Sequence, residues 1–483
     1  MRVGLSIEEW SWSRFAAALA VVFLLGSAQG AAQSMAANAT LLSEGRSGEP
    51  GNGSSANASI SQDRRKNRVI AFDSEASNLV PGDANHRRDV FFIKRAGSYG
   101  SNGTPWRPGS VRLASRGRGG KPANGDSWGA SVGGVANRAP KCLAFVSKAS
   151  NLVRNDTNGT ADAFVYWFAT KRIQRVSVDS RGRQARGSTF DVSVDGDCTK
   201  VAFTSSARNL ALSNGGKRAW SKATSRTPRR RTRQTYLHFI KPAMGSERAF
   251  RGLTMVISRK GTRPGNGRSV GVSVSAMTGG RSVAFATTSS NLVRGDKNKA
   301  PDVFLFRWKP RWVGGTPTLS WSVKAVSRIS GGTIGNGAST APQIAPFAET
   351  VTYQSTASNL AGGGSQQKAL RTEMRSKPRH KHVGKWPSGP TGSPTITGSA
   401  SWVFFEAVSE AGVPETWLWY ENRPQRPRQI GVPAASPTTS THGNYVLVES
   451  PRDPYTRLRA GQGITPAELE APRQIFLIYM GPK

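Results

Sequence analysis

A phrase with the composition of strand, turn and strand recurs along this chain and constrains its fold more than any other feature. The phrase is clearest in residues 69–93, VIAFDSEASNLVPGDANHRRDVFFI, where two apolar runs flank a segment rich in Ser, Asn, Pro, Gly and Asp. Short runs with β-branched and aromatic residues predict buried strands, and the segment between them has the composition of a turn. The further copies, some close and some faint, are residues 143–168, 201–210, 283–306, 351–360, 403–420 and 445–479.

The copies are spaced like the blades of a propeller. An alternating segment precedes the first strand of a copy and an apolar segment follows the second, so each unit offers four short strands. One four-stranded sheet cannot bury both of its faces, and repeats of this kind therefore predict sheets stacked around an axis. We predict an all-β fold, a β-propeller of about seven four-stranded blades, with six or eight blades as alternatives. The bulky residues that mark the seven units, at steps of 43 to 82 residues, are Phe72, Phe145, Phe203, Phe285, Tyr353, Phe405 and Val448.

The two ends of the chain predict how the ring closes. The seventh unit runs out at residues 475–480, its third strand, and lacks a fourth. Residues 40–43, TLLS, stand just before a Gly-Asn-Gly loop, where fourth strands stand in other units. We therefore expect this N-terminal strand to complete the last blade, which leaves no long exposed sheet edge.

The pattern resembles the bacterial TolB-like and WD-repeat-like β-propeller repeats, in which a phrase close to VAF-S-ASNLVPGDTNG-DVFV recurs blade by blade. Residues 69–93, 143–168 and 283–306 match this phrase well, and the units around Val201 and Val351 match its first half. The resemblance covers about residues 40–480. It implies a propeller fold and leaves the function open, because propellers host many unrelated activities.

The N-terminal residues have the composition of an export signal. Arg2 and Arg14 precede an apolar run at residues 15–25, and small residues suited to cleavage follow it. That run is too short to span a bilayer, which takes about 20 residues. The predicted organisation is a signal peptide at 1–30, a linker at 31–39 and a single propeller domain at 40–483. The mature chain would then be secreted or periplasmic, a monomer without a transmembrane span; an uncleaved anchor is the alternative.

The two cysteines, Cys142 and Cys198, stand at equivalent places in consecutive units, at the entrance to the strand that carries the bulky residue. In an oxidising compartment, a disulfide between neighbouring blades would follow. The alternative is a pair of buried thiols, because strand starts in neighbouring blades can lie too far apart for a disulfide.

Positive charge is the most unusual property of the composition. The chain has 67 Lys and Arg against 29 Asp and Glu, a formal net charge of +38. Two basic inserts, at residues 217–233 and 366–386, are expected to be loops between the second and third strands of their blades. The candidate polyanion-binding residues in them are Lys217, Arg218, Arg229, Arg230, Arg231, Arg233, Arg379 and Lys381.

A field of this size favours a polyanion, and the expected partners are an anionic polysaccharide or envelope polymer, or a partner protein. The alternative is that the cations only keep exposed loops solvated. Specific nucleic-acid binding is not expected, because the chain has no recognisable nucleic-acid-binding module.

An acidic turn recurs in three units, at residues 83–89, 156–162 and 296–302. Asp156, Asn158 and Asp162 are the weak calcium candidates, because alternating oxygen ligands suit a hard cation. No other cofactor is expected. Each turn offers few carboxylates and lacks the closing bidentate Glu of a calcium loop. The alternative is that these Asp and Asn side chains accept backbone N–H groups and fix the turn.

Catalytic residues are not predicted. The pattern G-x-S-x-G occurs around Ser127, Ser131 and Ser269, but these matches are expected in the Gly/Asn loops that open blades. A nucleophile elbow instead needs a strand before the turn and a helix after it. The predicted function is an exported, non-enzymatic binding scaffold. The alternative is a propeller hydrolase or lyase with a site at the central channel.

Overall fold

The computed structural model describes most of the chain from Ala39 onward. The described residues are 39–97, 106–135, 138–211, 232–240, 249–276, 280–329, 331–346, 349–361, 364–374, 378–383, 389–425, 427–451, 453 and 465–481. Within them, seven four-stranded antiparallel sheets form, with a two-stranded ribbon and one short α-helix. These sheets confirm the predicted all-β propeller and fix the blade number at seven. The predicted signal peptide, residues 1–30, lies outside the described residues.

The blades follow one another along the chain as meanders. The first strand among the described residues is β1 (Ala39–Leu41). Blades 1 and 2 consist of β2 (Ser55–Ile60), β3 (Val69–Ser74), β4 (Asp89–Arg95), β5 (Pro108–Leu113), and of β6 (Ser127–Val132), β7 (Cys142–Ser147), β8 (Asp162–Trp167), β9 (Arg172–Arg175). Blade 3 consists of β10 (Thr189–Val194), β11 (Lys200–Ser205), β12 (Gln234–Phe239) and β13 (Thr254–Val256). The ribbon of β14 (Arg259–Lys260) and β15 (Arg263–Pro264) follows. Blade 4 consists of β16 (Ser269–Val274), β17 (Ser282–Thr287), β18 (Asp302–Val313) and β19 (Thr316–Ala325).

The remaining blades repeat the same order. Blades 5 and 6 consist of β20 (Ser339–Ile344), β21 (Thr350–Ser355), β22 (Lys368–Glu373), β23 (Arg379–His382), and of β24 (Thr391–Ile396), β25 (Trp402–Val408), β26 (Pro414–Tyr420), β27 (Arg428–Gly431). Blade 7 consists of β28 (Ala435–Thr439), β29 (Tyr445–Ser450), β30 (Gln474–Tyr479), with the helix α1 (Pro466–Glu470) before its third strand.

The N-terminal strand closes the ring as predicted. The sheet of blade 7 has the strand order β28, β29, β30, β1, and β1 runs antiparallel to β30. Leu41 pairs with Phe476, and Ala39 pairs with Ile478. Strand β1 therefore supplies the missing fourth strand, which protects the outer edge of β30.

The first strand of every blade lies innermost. Strand β2 contacts β6, and the contacts continue from β6 through β10, β16, β20 and β24 to β28, which contacts β2 again. Seven innermost strands thus surround a central channel. The second and third strands lie between neighbouring blades, where both of their faces are covered.

Pairs of aromatic rings in the second and third strands explain the recurring bulky residues. In four blades the two rings lie opposite each other in register, are buried, and stack with centroids 5.7 to 5.9 Å apart. Such pairs stabilise the core beyond the area that they bury. The pairs are Phe72–Phe91, Phe145–Phe164, Phe203–Tyr236 and Phe285–Phe304.

The Asn of the ASNL phrase joins the turn of a blade to the loop that opens the blade. Asn78 accepts a hydrogen bond from the backbone N–H of Asn52 at 2.9 Å and donates one to the carbonyl of Pro50 at 3.0 Å. The same two bonds recur in five blades. The phrase recurs because one short polar side chain satisfies two backbone groups that a loop would otherwise leave unpaired. The five residues are Asn78, Asn151, Asn209, Asn291 and Asn359.

The prediction for the second basic insert is wrong. Residues 366–386 do not form a loop between the second and third strands, because they contain β22 and β23, the third and fourth strands of blade 5. Lys368 and Arg371 are buried in β22. The ammonium of Lys368 donates to the carbonyl of Gly364 at 2.6 Å, and Arg371 pairs with Glu373 at 2.8 Å. Buried cations are tolerated here because each of them finds acceptors.

Most of the first basic insert lies outside the described residues. Of residues 217–233, the structure describes only the last two, so Lys217, Arg218, Arg229, Arg230 and Arg231 are among those left out. The insert does fall between the second strand β11 and the third strand β12 of blade 3, at the predicted place in the chain.

The two cysteines are joined in the structure. The sulfur atoms of Cys142 and Cys198 are 2.06 Å apart, and their Cα atoms are 6.1 Å apart. Cys142 begins β7 in blade 2, and Cys198 lies in the turn before β11 in blade 3, so the bond links neighbouring blades. Within the described part of the chain, no helix is long and apolar enough to cross a membrane.

Candidate binding surfaces

The central channel is a cavity of about 540 Å³ lined by the innermost strands of all seven blades. Its lining is mostly small or polar. The serines and threonines that line it are Ser59, Ser131, Ser193, Ser273, Ser393, Thr395, Ser436, Thr438 and Thr439. A propeller channel is a common place for a ligand or a reaction. Whether a channel side chain can act on a ligand depends on the hydrogen bonds that it already makes within the protein.

Serines in the channel join neighbouring blades. The backbone N–H of Val132 donates to the hydroxyl of Ser59, and that of Val194 donates to Ser131, both at 3.1 Å. Val274 and Ile344 donate in the same way to the serines of the preceding blades, Ser193 and Ser273. Each hydroxyl accepts an N–H that its own sheet leaves unpaired, which gives these serines a structural role.

The G-x-S-x-G matches lie in strands, and the expectation that they occupy loops is wrong. Ser127 and Ser269 are the first residues of β6 and β16, and Ser131 lies inside β6. The buried hydroxyl of Ser127 donates to Ser147 at 2.9 Å. The glycines serve a bulge near the start of each strand, where Gly129 and Gly271 have φ of 67° and 62°. Strands follow these serines, so they are not nucleophile elbows.

Carboxylates at one end of the channel were not singled out from the sequence. Glu449 accepts the N–H of Asn57 at 2.8 Å, and Asp73 accepts the N–H of Gly129 at 2.8 Å. Burial, together with the charges of Asp73 and Glu406, raises the pKa of Glu449 to about 7. Both carboxylates lie in the second strand of their blade, opposite the bulge in the first strand of the next blade. An acidic residue within an otherwise apolar second strand is therefore the sequence signal for such a contact.

Two other carboxylates also join neighbouring blades, Asp191 from a first strand and Glu406 from a second strand. Asp191 accepts the N–H of Gly271 at 3.3 Å, and Glu406 accepts the N–H of Ser436 at 2.9 Å. These contacts again cross from one blade to the next. Among the described residues, no group of three or more His, Cys, Asp and Glu side chains could hold a metal ion. The channel carboxylates therefore act first as links between blades.

The acidic turn of blade 2, which holds the weak calcium candidates, is filled by the protein's own donors. Asp162 accepts hydrogen bonds from Asn158 at 3.0 Å and from the hydroxyl of Ser177 at 2.6 Å. Gln184 donates to both Asp156 and Asp162, at 2.7 and 3.1 Å. The guanidinium of Arg175 lies 3.3 Å from Asp156 and 3.5 Å from Asp162. A cation already stands where calcium would have to bind.

The equivalent turns of blades 1 and 4 keep the hydrogen bonds of Asn and Ser. Asp302 accepts from Asn298 at 2.9 Å and from Ser327 at 2.7 Å, and Asp89 is held in the same way. In these turns burial raises the pKa of Asp89 and of Asp302 to about 7. Burial also raises the pKa of Asp83 to about 6.

Glutamine performs the same task in two other blades, which supports the structural interpretation of the turn. Gln234 begins β12 at the position that Asp162 has in β8, and its amide accepts from Ser258 at 2.8 Å and donates to the carbonyl of Gly265 at 3.1 Å. Gln474 makes the matching bonds with Ser43 and Gly51 in blade 7. A neutral side chain can therefore replace the Asp and Asn pair.

The described polyanion candidates are not brought together. Arg233 lies before β12 in blade 3, with its guanidinium carbon 3.3 Å from the ring centroid of Phe190. Burial lowers the pKa of Arg233, as does the charge of Arg268. Arg379 and Lys381 are exposed on β23 of blade 5, where Lys381 pairs with Glu421 at 3.2 Å. Blade 4 separates the two groups.

A basic groove between blades 1 and 2 was missed from the sequence. It has a volume of about 870 Å³, its walls come from β5 and from β8 and β9, and none of the described residues that line it is a carboxylate. Eight exposed cations surround it, and none of them takes part in the ion pairs found among the described residues. The cations are Arg46, Lys94, Arg112, Arg116, Arg118, Arg154, Lys171 and Arg172.

Comparisons with known proteins bear on the fold. No known family model and no curated protein matches the chain. Among solved structures, TolB from Acinetobacter baumannii is 12% identical with a TM-score of 0.37, over 71% of this chain and 65% of that one.

The alignments with two other solved structures extend over more of both chains. The β-propeller domain of the Trilobed protease from Pyrococcus furiosus is 10% identical with a TM-score of 0.45, over 90% of this chain and 95% of that one. The RRP9 WD40 repeats are 10% identical with a TM-score of 0.43, over 92% and 97%. The seven blades of the chain itself confirm the propeller fold, and TolB and WD40-repeat propellers are among the structures to which it is similar.

Proposed function

We propose that this chain is an exported, non-enzymatic propeller that binds an anionic polymer of the cell envelope or surroundings. The observation that carries the proposal is the basic groove between blades 1 and 2, because exposed cations without carboxylate partners create a local positive potential. The net charge of +38 extends that potential over the surface. Such a field raises the local concentration of polyanions and speeds their association. A partner protein with an acidic surface is the second ligand class.

The channel supports a scaffold better than an enzyme. Its serines and carboxylates accept backbone N–H groups of neighbouring blades, as shown for Ser59, Ser131, Asp73 and Glu449. A nucleophile needs a general base within hydrogen-bond reach, and a group that holds two blades together is poorly placed to move during a reaction. A hydrolase or lyase at this channel therefore has weaker support.

Export is supported by the composition of residues 1–30 and is consistent with a disulfide between Cys142 and Cys198, since disulfides persist in oxidising compartments. The matching experiment is N-terminal sequencing of the protein recovered from the periplasm or medium of a secreting host. We expect the recovered chain to begin near residue 31. A chain that stays in the cytoplasm with residues 1–30 attached would contradict the proposed export.

Binding is tested with the purified mature chain on immobilised polymers. We expect retention on a carboxylated polysaccharide at about 0.05 M salt, strong loss at about 0.5 M salt, and none on a neutral polysaccharide, because salt screens exposed charges. Failure to bind every anionic polymer at low salt would overturn the polymer proposal and leave the partner protein as the ligand to seek.

A further inference from the structure

The basic groove is built from two neighbouring blades and carries unbalanced charge. Lys94 and Arg112 of blade 1 and Lys171 of blade 2 all line it, and Lys94 lies near enough to the other two for their charges to act on it. Partial burial lowers the pKa of Lys94, and the charges of Arg112 and Lys171 lower it further. The repulsion among these cations disfavours the empty groove. An anion placed between them would remove that repulsion.

The floor of the groove is aromatic. Phe92, Tyr166 and Phe168 form a triangle with ring centroids 5.2 to 5.8 Å apart. Phe92 and Tyr166 are buried, whereas Phe168 is half-buried. The ammonium of Lys94 lies over the ring of Phe168, 5.4 Å from its centroid, so the cation and the half-buried ring are neighbours in the groove. A ligand that fits both must carry anions next to apolar ring faces.

The structure also describes a smaller basic cleft, formed by blade 4 and the loop that follows it. It lies beside the fourth strand of blade 4, has a volume of about 280 Å³, and is lined by Arg294, Lys324 and Arg328. Val293 and Val323 are among the described residues that line it, and none of these is aromatic. A cleft with basic residues is therefore found in blade 4 as well, whereas the larger size and the aromatic floor belong to the groove of blades 1 and 2.

We propose that this groove binds a segment of an acidic polysaccharide. Carboxylates of the polymer pair with the cations at its rim, and the apolar face of a sugar ring lies against Phe168. The volume of about 870 Å³ is within the range of small-molecule binding sites, so it can hold a short segment of a polymer. Polyphosphate offers the charge without the ring face, and a neutral glycan offers the ring face without the charge. This inference rests on the proposed function and names its site and ligand class.

The first test removes two rim charges from the mature chain. The variant Arg112→Gln with Lys171→Gln is compared with the control Arg294→Gln with Lys324→Gln, which loses the same net charge in the smaller cleft. We expect the first variant to bind an oligouronate about tenfold more weakly, because each lost contact is an exposed ion pair. The control should change affinity by less than about twofold. Equal effects of the two variants would overturn the groove as the site.

The second test addresses the aromatic floor. Phe168→Leu keeps an apolar side chain and removes the ring face. We expect it to weaken oligouronate binding severalfold and to leave polyphosphate binding unchanged. Equal weakening of both ligands would contradict the sugar-ring contact, and unchanged binding of both would contradict a role for Phe168. Circular dichroism and urea unfolding establish that each variant folds.

The outcomes separate the two levels of the proposal. If the unaltered chain binds oligouronate and the Arg112 and Lys171 variant binds it equally well, the groove assignment fails and the polymer-binding function stands. If the unaltered chain prefers polyphosphate of equal length and charge, the ligand class is wrong. If it binds neither polymer, the proposed polymer-binding function itself fails.

Discussion

The acidic turns of blade 2 and of blades 1 and 4 have the same spacing in the sequence and solve the same electrostatic problem differently. In blade 2, Arg175 lies against the two carboxylates, and its side chain is only 11% exposed. The register places Arg175 opposite Phe164. At the same register position, blade 1 has Leu113 and blade 4 has Ala325. Those two blades therefore lack the cation.

Burial raises the pKa of Asp162 in blade 2 as well, and the charge of Arg175 works against that shift. The turns therefore differ in whether a cation offsets the cost of burial. Removal from water disfavours the charged form of Asp, and a nearby cation offsets that cost. Asp302 has hydrogen bonds without a cation, and burial raises its pKa to about 7. The same phrase thus yields an ion pair in one blade and a carboxyl that is partly protonated near neutral pH in another.

The largest expected effect comes from removing the cation of blade 2. Arg175→Leu leaves Asp156 and Asp162 buried without a counter-charge, and the free energy of unfolding should fall by about 3 kcal/mol near pH 8. The loss should be smaller near pH 5, where the carboxyls take up protons. Urea unfolding at both values measures it. Arg172→Leu on the same strand is the control, because Arg172 is exposed. Equal losses in the two variants would show that Arg175 does not act through the carboxylates.

A smaller effect is expected from replacing Asp302 of blade 4 by asparagine, which is neutral at every pH. The pKa of Asp302 is raised in the folded state, so the folded chain holds this proton more tightly than the unfolded chain does. Its contribution to stability is complete below about pH 4 and is lost as the pH rises through about 7. Between about pH 5 and about pH 7, the free energy of unfolding of the unaltered chain should fall with the loss of this proton. In the Asp302→Asn variant that fall should be smaller by roughly 2 kcal/mol. Parallel pH profiles of unfolding free energy would refute this explanation.

The smallest expected effect is that of calcium. Arg175 and Gln184 already occupy the carboxylates of the blade 2 turn, so calcium at about 10 mM should change the Tm of the unaltered chain by less than about 1 °C. Magnesium at the same concentration is the control for ionic strength. A rise of several degrees with calcium alone would restore the Asp156, Asn158 and Asp162 turn as a calcium site.

Much of the fold could be predicted because the same pattern of apolar strands and turn residues occurs in each repeat. The bulky residues mark second strands such as β3 and β17, and the Gly/Asn loops mark where blades open. Even a weak unit is located by its neighbours. The closing strand could also be predicted, because the seventh unit ends at its third strand, β30, and one additional strand stands before the first unit. That strand can supply the missing fourth position.

The site was less predictable, because its parts lie far apart in the sequence. The basic groove takes Arg112 from one blade and Phe168 from the next, two residues that stand 56 positions apart in the sequence. The charged run at residues 366–386 instead became two strands. Charge density along the chain is thus a poor guide to charge density in space.

The sequence by itself determined the repeat, the strand order and the closing strand, because alternation of apolar residues and turn chemistry are local properties that each unit restates. Only the tertiary structure decided which charges are balanced. Lys368 became a buried donor to the carbonyl of Gly364, Arg175 became the counter-charge of Asp162, and Arg112 was left at the rim of a groove without a carboxylate partner. The physical reason is that an ion pair depends on the distance between two side chains, and in a ring of blades that distance is set by the stacking of neighbouring sheets.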